Sequence, residues 1–353
     1  MRIFNKMLTI IIASIVMTTM FSIYSSNLTN ANSQVVEGKP VSVAVLFYRF
    51  NNEPYVSLLR QNFEEIQIEN KDKVKFTFYD GEDNQAIQNR SIDKLLESRD
   101  ADIIFLDLVD TKNVQEIINK IKENNIPVVI FHREPLNIES VKSYNKAFYV
   151  GGNPEEAGRL EGKIIIDAWN KEKEIIDRNG DNIMQYVMLF GERDNLDAIG
   201  RTRYSLSAIH DAGINTEEIA LKVCNWDENL AENTIKTIFL QQGNKIETII
   251  SNNDSMAIGA IKALQKYGYN EGDKVKTIPV VGVDAIPQAQ EFIKKGYMAG
   301  SVLQDATAMV KAVYTIGMNL VHDRLPLDGT VYKVDDTGVA IRIPYKEYTD
   351  NLL

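Results

Sequence analysis

Short apolar runs that alternate with amphipathic stretches constrain this chain more than any other feature. Residues 41–47, 75–79, 102–106 and 127–131 are rich in Val, Ile and Phe. They are too short for helices and too continuously apolar for half-exposed strands, as strands covered on both faces must be. Between them, 55–67, 87–96 and 114–123 carry apolar residues at helical spacing. The rhythm restarts after Tyr149-Val150-Gly151-Gly152-Asn153, with helices predicted over 155–168, 197–211, 230–241, 254–266 and 285–294 and strands over 184–190, 248–251 and 277–283. A late helix at 307–321 and strands at 331–334 and 339–343 complete the pattern. The expected fold class is α/β, with two doubly wound parallel-sheet domains. Gly151-Gly152 reads as a crossover that uses glycine's backbone freedom.

In open parallel sheets, ligands bind beyond the carboxyl ends of the strands. The polar residues after each run are therefore the candidate contacts: Asn51 and Asn52, His132 and Arg133, Asp194 to Asp197, Asn225 with Trp226, Asn252 to Asp254, Asp284, and Gln304 with Asp305. Carboxylates, amides and an aromatic plate together suit a sugar, whose hydroxyls donate and accept while its C–H faces stack. Asn252-Asn253-Asp254 also has the chemistry of an ordinary helix N-cap.

A second motif is Asp177-Arg178-Asn179-Gly180-Asp181-Asn182-Ile183-Met184-Gln185. Oxygen-bearing side chains alternate as they do in an EF-hand loop around Ca²⁺, with the Ile183 carbonyl at the backbone-ligand position. Asn182 stands where an EF-hand has glycine, and Met188 stands where the bidentate carboxylate belongs. The loop is thus either a polar turn or a cation site completed from elsewhere in the chain.

The chain has 353 residues, a net charge of −10, one cysteine and three histidines. The acidic balance argues against nucleic acid, which calls for a basic face. With Cys224 alone, neither an intrachain disulfide nor a CxxC site exists. Arg2 and Lys6 precede an apolar run over 8–23, and Thr29-Asn30-Ala31 offers small residues for signal peptidase. A signal peptide over 1–31 is expected, with an uncleaved anchor as the alternative, in the periplasm or at the cell surface. No glycine-rich fingerprint follows the first strand, where the text is Phe47-Tyr48-Arg49-Phe50-Asn51-Asn52. That argues against a dehydrogenase.

The chain resembles the exported galactose/glucose-binding proteins of the type I periplasmic binding-protein family. The resemblance rests on 251–259 (SNNDSMAIG), 281–287 (VGVDAIP), Asn225-Trp226-Asp227 and the Asp177 loop. It implies sugar contacts from Asp197, Arg201, Asn253 and Asp284, stacking by Trp226, and Tyr55 on the opposite face. It departs from the family at Asn52, His132, Asn195 and Gln304. It further implies Ca²⁺ held by Asp177, Asn179, Asp181, Gln185 and Glu247 with the carbonyl of Ile183. The implied lobes are 41–151 plus 305–335 and 152–304 plus 336–353, joined by three hinge crossings. The implied protein is not an enzyme but a monomeric binder. It delivers a monosaccharide, first of all galactose or glucose, to the membrane permease of an ABC transporter. A membrane sensor as partner, or a pentose as ligand, are the alternatives.

Overall fold

The computed structural model of the chain describes residues 38–350 apart from Asn52, so the predicted signal segment lies outside the described residues. Two six-stranded sheets form the framework. The first contains β1 (Val41–Phe47), β2 (Val74–Asp80), β3 (Ile103–Leu106), β4 (Val128–Phe131) and β5 (Ala147–Gly151), with β11 (Ala340–Arg342) at its edge in the order β11-β5-β4-β3-β1-β2. The second runs β12-β10-β9-β8-β6-β7, from β6 (Ile183–Phe190), β7 (Asn215–Val223), β8 (Thr248–Ser251), β9 (Val280–Asp284), β10 (Gly300–Leu303) and β12 (Lys346–Tyr348). All pairings are parallel except that of β12 with β10. Strand order reverses between β1 and β3 and again between β6 and β8, and a crevice opens at each such switch point.

The helices are α1 (Pro54–Glu69), α2 (Gln85–Ser98), α3 (Val114–Glu123), α4 (Glu139–Lys142), α5 (Pro154–Ile176), α6 (Leu196–Asp211), α7 (Glu228–Gln242), α8 (Asp254–Gln265), α9 (Pro287–Lys294) and α10 (Ala306–Val321). Four that open at the strand ends, α6, α7, α8 and α10, are capped by side chains the sequence supplies. Asn195 accepts from the Ala198 amide, Asp227 from Leu230, Asn253 from Met256 and Asp305 from Ala308. Each lobe has its own core. Leu46, Ile104, Ile118 and Ile130 are fully packed in the first, and Ile165, Met188, Ile250 and Val283 in the second.

Three expectations need correction. Residues 331–334 form no strand; Val334 makes only an isolated bridge to Ile341. β11 pairs parallel with β5 of the first sheet, Ala340 opposite Tyr149, so residues up to Arg342 belong to the first lobe. The third crossing therefore falls between β11 and β12, not near Asp335-Asp336. The short β12 then closes the edge of the second sheet, because its three residues still add a ladder to β10. Finally, Gly151 and Gly152 serve space rather than unusual dihedrals. A Cβ on Gly151 would lie 1.9 Å from the Tyr149 hydroxyl, and one on Gly152 2.2 Å from the Tyr345 ring. β7 and β10 escaped prediction, the first because an exposed, acid-rich edge strand lacks an apolar run and the second because Gly300 and Ser301 leave only Val302 and Leu303 as its apolar signal.

Candidate functional site

Strand ends from both lobes converge on one cleft of about 350 Å³ including its mouth. The first lobe contributes Tyr48, which follows β1, Glu53 and Tyr55 at the start of α1, and His132 and Arg133 after β4. The second contributes Asn195, Asp197 and Arg201 around the start of α6, Trp226 before α7, Asn253 before α8 and Asp284 at the end of β9. Several turns that aim these side chains are left-handed. His132 has φ +64°, Asn225 +49°, Trp226 +64°, Asp284 +116° and Ala285 +51°. Non-glycine residues rarely adopt such values, and their concentration at one cleft marks a functional site.

Trp226 is buried, and its indole Nε1 has no partner. Its ring lies against Gly191, where an added Cβ would sit 2.3 Å away. Asn253 does two things at once. Its Oδ1 caps α8, and its Nδ2 donates to the Trp226 carbonyl at 3.4 Å. Tyr55 is buried beside His132, with ring centroids 5.2 Å apart.

Arg201 ties the cleft floor to the hinge. Its guanidinium donates to the Asn252 carbonyl (2.7 Å), to Gln304 Oε1 (3.0 Å) and to the Tyr345 hydroxyl (3.2 Å), and Asp197 lies 3.6 Å away. Its Nε remains unpartnered. Gln304 is therefore an Arg201 partner at a hinge crossing and not a residue of the cleft wall. Asp254 likewise faces inward, accepting from Ser301 and from the Ile286 amide. Burial holds the Asp284 carboxyl well above the usual range; Arg201 opposes this, while Asp254, Glu53 and Asp197 add to it. Burial also raises Glu53, against the pull of Arg49.

Asn52 lies outside the described residues. The first-loop carboxylate in the cleft is Glu53, which accepts from the Tyr48 hydroxyl (3.0 Å) and Arg49 (3.2 Å). Sequence reasoning missed both Glu53 and Tyr48. Tyr48 reads as an extension of the apolar β1 run, and Glu53 sits in a loop whose path the sequence leaves open.

The Asp177 loop is a separate site. Glu247, just before β8, reaches it and accepts from the backbone N–H groups of Arg178 (2.8 Å) and Gln185 (3.2 Å). Asn179 and Gln185 both donate to Asp181 Oδ2 at 2.9 Å, and Asp177 Oδ1 is buried without a partner. Glu247 is raised by burial and by repulsion from Asp177 and Asp181. Among the described residues no set of three or more His, Cys, Asp or Glu side chains suffices for a metal, so amide oxygens must share in any shell here. Turning the Asn179 and Gln185 amides over would present oxygens where their nitrogens now donate to Asp181, and a cation among those oxygens would replace the hydrogen bonds lost. An orphaned carboxylate oxygen amid repelling acids fits a hard cation.

With this geometry in view, the chain's relatives can be placed. Residues 43–324 match the periplasmic binding protein domain. The chain belongs to the periplasmic binding protein family. It is 36% identical over 306 residues to the D-galactose/methyl-galactoside binding periplasmic protein of Haemophilus influenzae, covering 86% of this chain and 88% of that one. Among solved structures it is similar to an ABC transporter periplasmic solute binding protein from Actinobacillus succinogenes with bound D-allose. The TM-score there is 0.73 at 20% identity, over 89% of this chain and 98% of that one. It is also similar to an ABC transporter solute binding protein from Bacillus halodurans with bound myo-inositol, with a TM-score of 0.72 at 21% identity, over 90% and 97% of the two chains. This periplasmic binding protein is thus extracytoplasmic, and it is a binder rather than an enzyme. No helix of the described residues is long and apolar enough to cross a membrane.

Proposed function

We propose that this periplasmic binding protein captures a monosaccharide, a hexopyranose with galactose or glucose first, and hands it to the permease of an ABC transporter. The observation that carries the reading is the composition of the cleft. Trp226 from one lobe and Tyr55 from the other offer ring surface, while Asp197, Asn253, Asp284 and Glu53 offer acceptors among them. A neutral polyol needs that mixture, since each hydroxyl both donates and accepts. The similarity to a galactose/methyl-galactoside binder supports the hexose. The relatives with bound D-allose and myo-inositol bracket the same class of small polyhydroxylated ring.

The Asp177 loop and Glu247 take Ca²⁺ in this reading, through Asp177, Asn179, Asp181, Gln185, Glu247 and the Ile183 carbonyl. The ion fastens the loop that enters β6 to the strand that leads to Asn253. It stabilises the second lobe and does no chemistry on the sugar. The protein acts as a monomer, cleaved after Ala31. Retention of the apolar run over 8–23 would make it a tethered subunit that reports the sugar to a membrane sensor, and N-terminal sequencing from the native host separates the two.

Calorimetry against galactose, glucose, xylose, arabinose and ribose tests the ligand. Galactose or glucose is expected to bind in the micromolar range or tighter. Asp284→Ala leaves hydroxyls and donors unpaired, at about 1–3 kcal/mol per group, so affinity falls about tenfold or more. Failure of every sugar to bind better than millimolar, with folded protein, overturns the reading; a pentose preference moves the assignment within the same class.

A further inference from the structure

His132 does not stand alone behind the cleft. Its Nδ1 lies 3.3 Å from both oxygens of Asp107. Asp107 directly follows β3 and is wholly buried. Its Oδ1 has no hydrogen-bond partner at all. Its backbone is spent elsewhere, its N–H on the Leu46 carbonyl and its carbonyl on Gln88. A buried carboxylate at the switch point of the first sheet thus has His132 as its side-chain hydrogen-bond partner among the described residues, and His132 lines the cleft. The imidazole is held further by its left-handed backbone and by the Tyr149 hydroxyl on its carbonyl (2.9 Å).

We propose that Asp107 is a positioning residue for His132: it holds the imidazole with Nδ1–H turned inward, so that Nε2 presents an acceptor to a sugar hydroxyl in the cleft. A carboxylate only accepts, so Nδ1 must carry a proton toward Asp107 and Nε2 is left for whatever enters the cleft. Neutral His132 then adds one more acceptor to a cleft that already holds Glu53, Asp197 and Asp284. The same cleft holds donors without partners, the Trp226 indole Nε1 and the Arg201 Nε, so an acceptor at Nε2 adds to a mixed set suited to hydroxyls.

Other groups face the pair. Glu53 lies near His132, and Tyr48 and Arg133 lie near Asp107. Tyr55 lies beside the imidazole, its ring tilted by 50°.

This inference rests on the sugar-binding reading for its ligand but not for its geometry, and two measurements keep them apart. The first is nitrogen NMR of the histidine rings in the full chain without sugar. His132 is expected as the Nδ1–H tautomer, and in Asp107→Asn that preference should weaken. An Nε2–H tautomer, or no change in Asp107→Asn, overturns the positioning role even if every sugar binds. The second is calorimetry with the best-bound hexose. Asp107 does not line the cleft, yet Asp107→Asn should bind roughly tenfold more weakly than the parent, the loss of about one well-placed hydrogen bond. In a His132→Ala background the same change should cost little, because a positioning residue acts only through its partner. Equal affinity of the parent and Asp107→Asn overturns the role. If no sugar binds either protein, the proposed ligand fails while the NMR result stands by itself.

Discussion

Arg133 of the first lobe and Glu192 of the second form a two-pronged ion pair across the cleft, at 3.1 and 2.7 Å. The Arg133 guanidinium also lies 4.4 Å over the Tyr48 ring and donates to the Val109 carbonyl. Burial works against its charge, yet Glu192 more than compensates, and the guanidinium is held more firmly cationic than usual. Thr111 bonds the Asp194 carbonyl, and Lys112 pairs with the Asp194 carboxylate beside it. The lobes are therefore joined across the cleft by polar contacts that a hinge opening between them would break.

Breaking this latch should weaken binding; Arg133 also lines the cleft, whereas Glu192 does not, so only the Glu192 variant tests the latch apart from ligand contact. Arg133→Ala is expected to cost about 2 kcal/mol or more, as truncation of one partner of a buried charge pair does. That is roughly a thirtyfold loss of affinity. Glu192→Gln should cost less, because Glu192 is the more exposed partner. Small-angle scattering should show a more open ensemble for Arg133→Ala at saturating sugar than for the parent. Unchanged affinity and unchanged scattering would show that the pair carries no closure energy.

Calcium should stabilise the folded chain. At free Ca²⁺ a hundredfold above the dissociation constant, the gain is about 2.7 kcal/mol, read as a higher melting temperature that chelator removes. Glu247→Gln should melt like the chelated parent and respond little to the ion, since it removes the carboxylate that joins the loop to β8. Equal melting with and without Ca²⁺, and no heat of binding, would leave the loop a polar turn.

Glu161 gives a pH-dependent prediction. It sits on α5, wholly buried, with no hydrogen-bond partner on either carboxyl oxygen. Burial holds it well above the usual glutamate range. A native carboxyl with a raised value binds a proton that the unfolded chain has already released. Stability is then lost as pH climbs from the unfolded value toward the folded one, by at most about 1.4 kcal/mol per pH unit. Glu161→Gln cannot ionise and escapes that loss. Chemical denaturation should find the variant nearly equal to the parent near pH 5 and more stable at pH 8. A gap that does not grow with pH would refute the assignment of a neutral Glu161.

Gly191 supports the stacking face. Its dihedrals are ones alanine accepts, but its Cβ would strike the Trp226 ring. Gly191→Ala should therefore displace the indole, change tryptophan emission and reduce sugar affinity about tenfold, the loss of roughly one good contact. Trp169, buried in the second core, supplies a constant background. A variant that binds like the parent would mean Trp226 does not stack on the ligand.

The alternation of short apolar runs with amphipathic helices, by itself, settled a doubly wound pair of parallel sheets, since periodicity reports burial along the chain directly. It also announced Asn195, Asn253 and Asp284, because caps and strand ends occupy recognisable places. Other features depended on which distant backbones meet. Arg133 and Glu192 are 59 residues apart, and neither reads as paired until the lobes face each other. Glu53 enters the cleft as a carboxylate only because of the path the chain takes into α1. Asp107 looks like any acid after a strand until β4 sets His132 beside it. The edge strand β11 joins the first sheet rather than the second because its ladder runs along β5, a choice between two available edges that three residues of sequence do not encode.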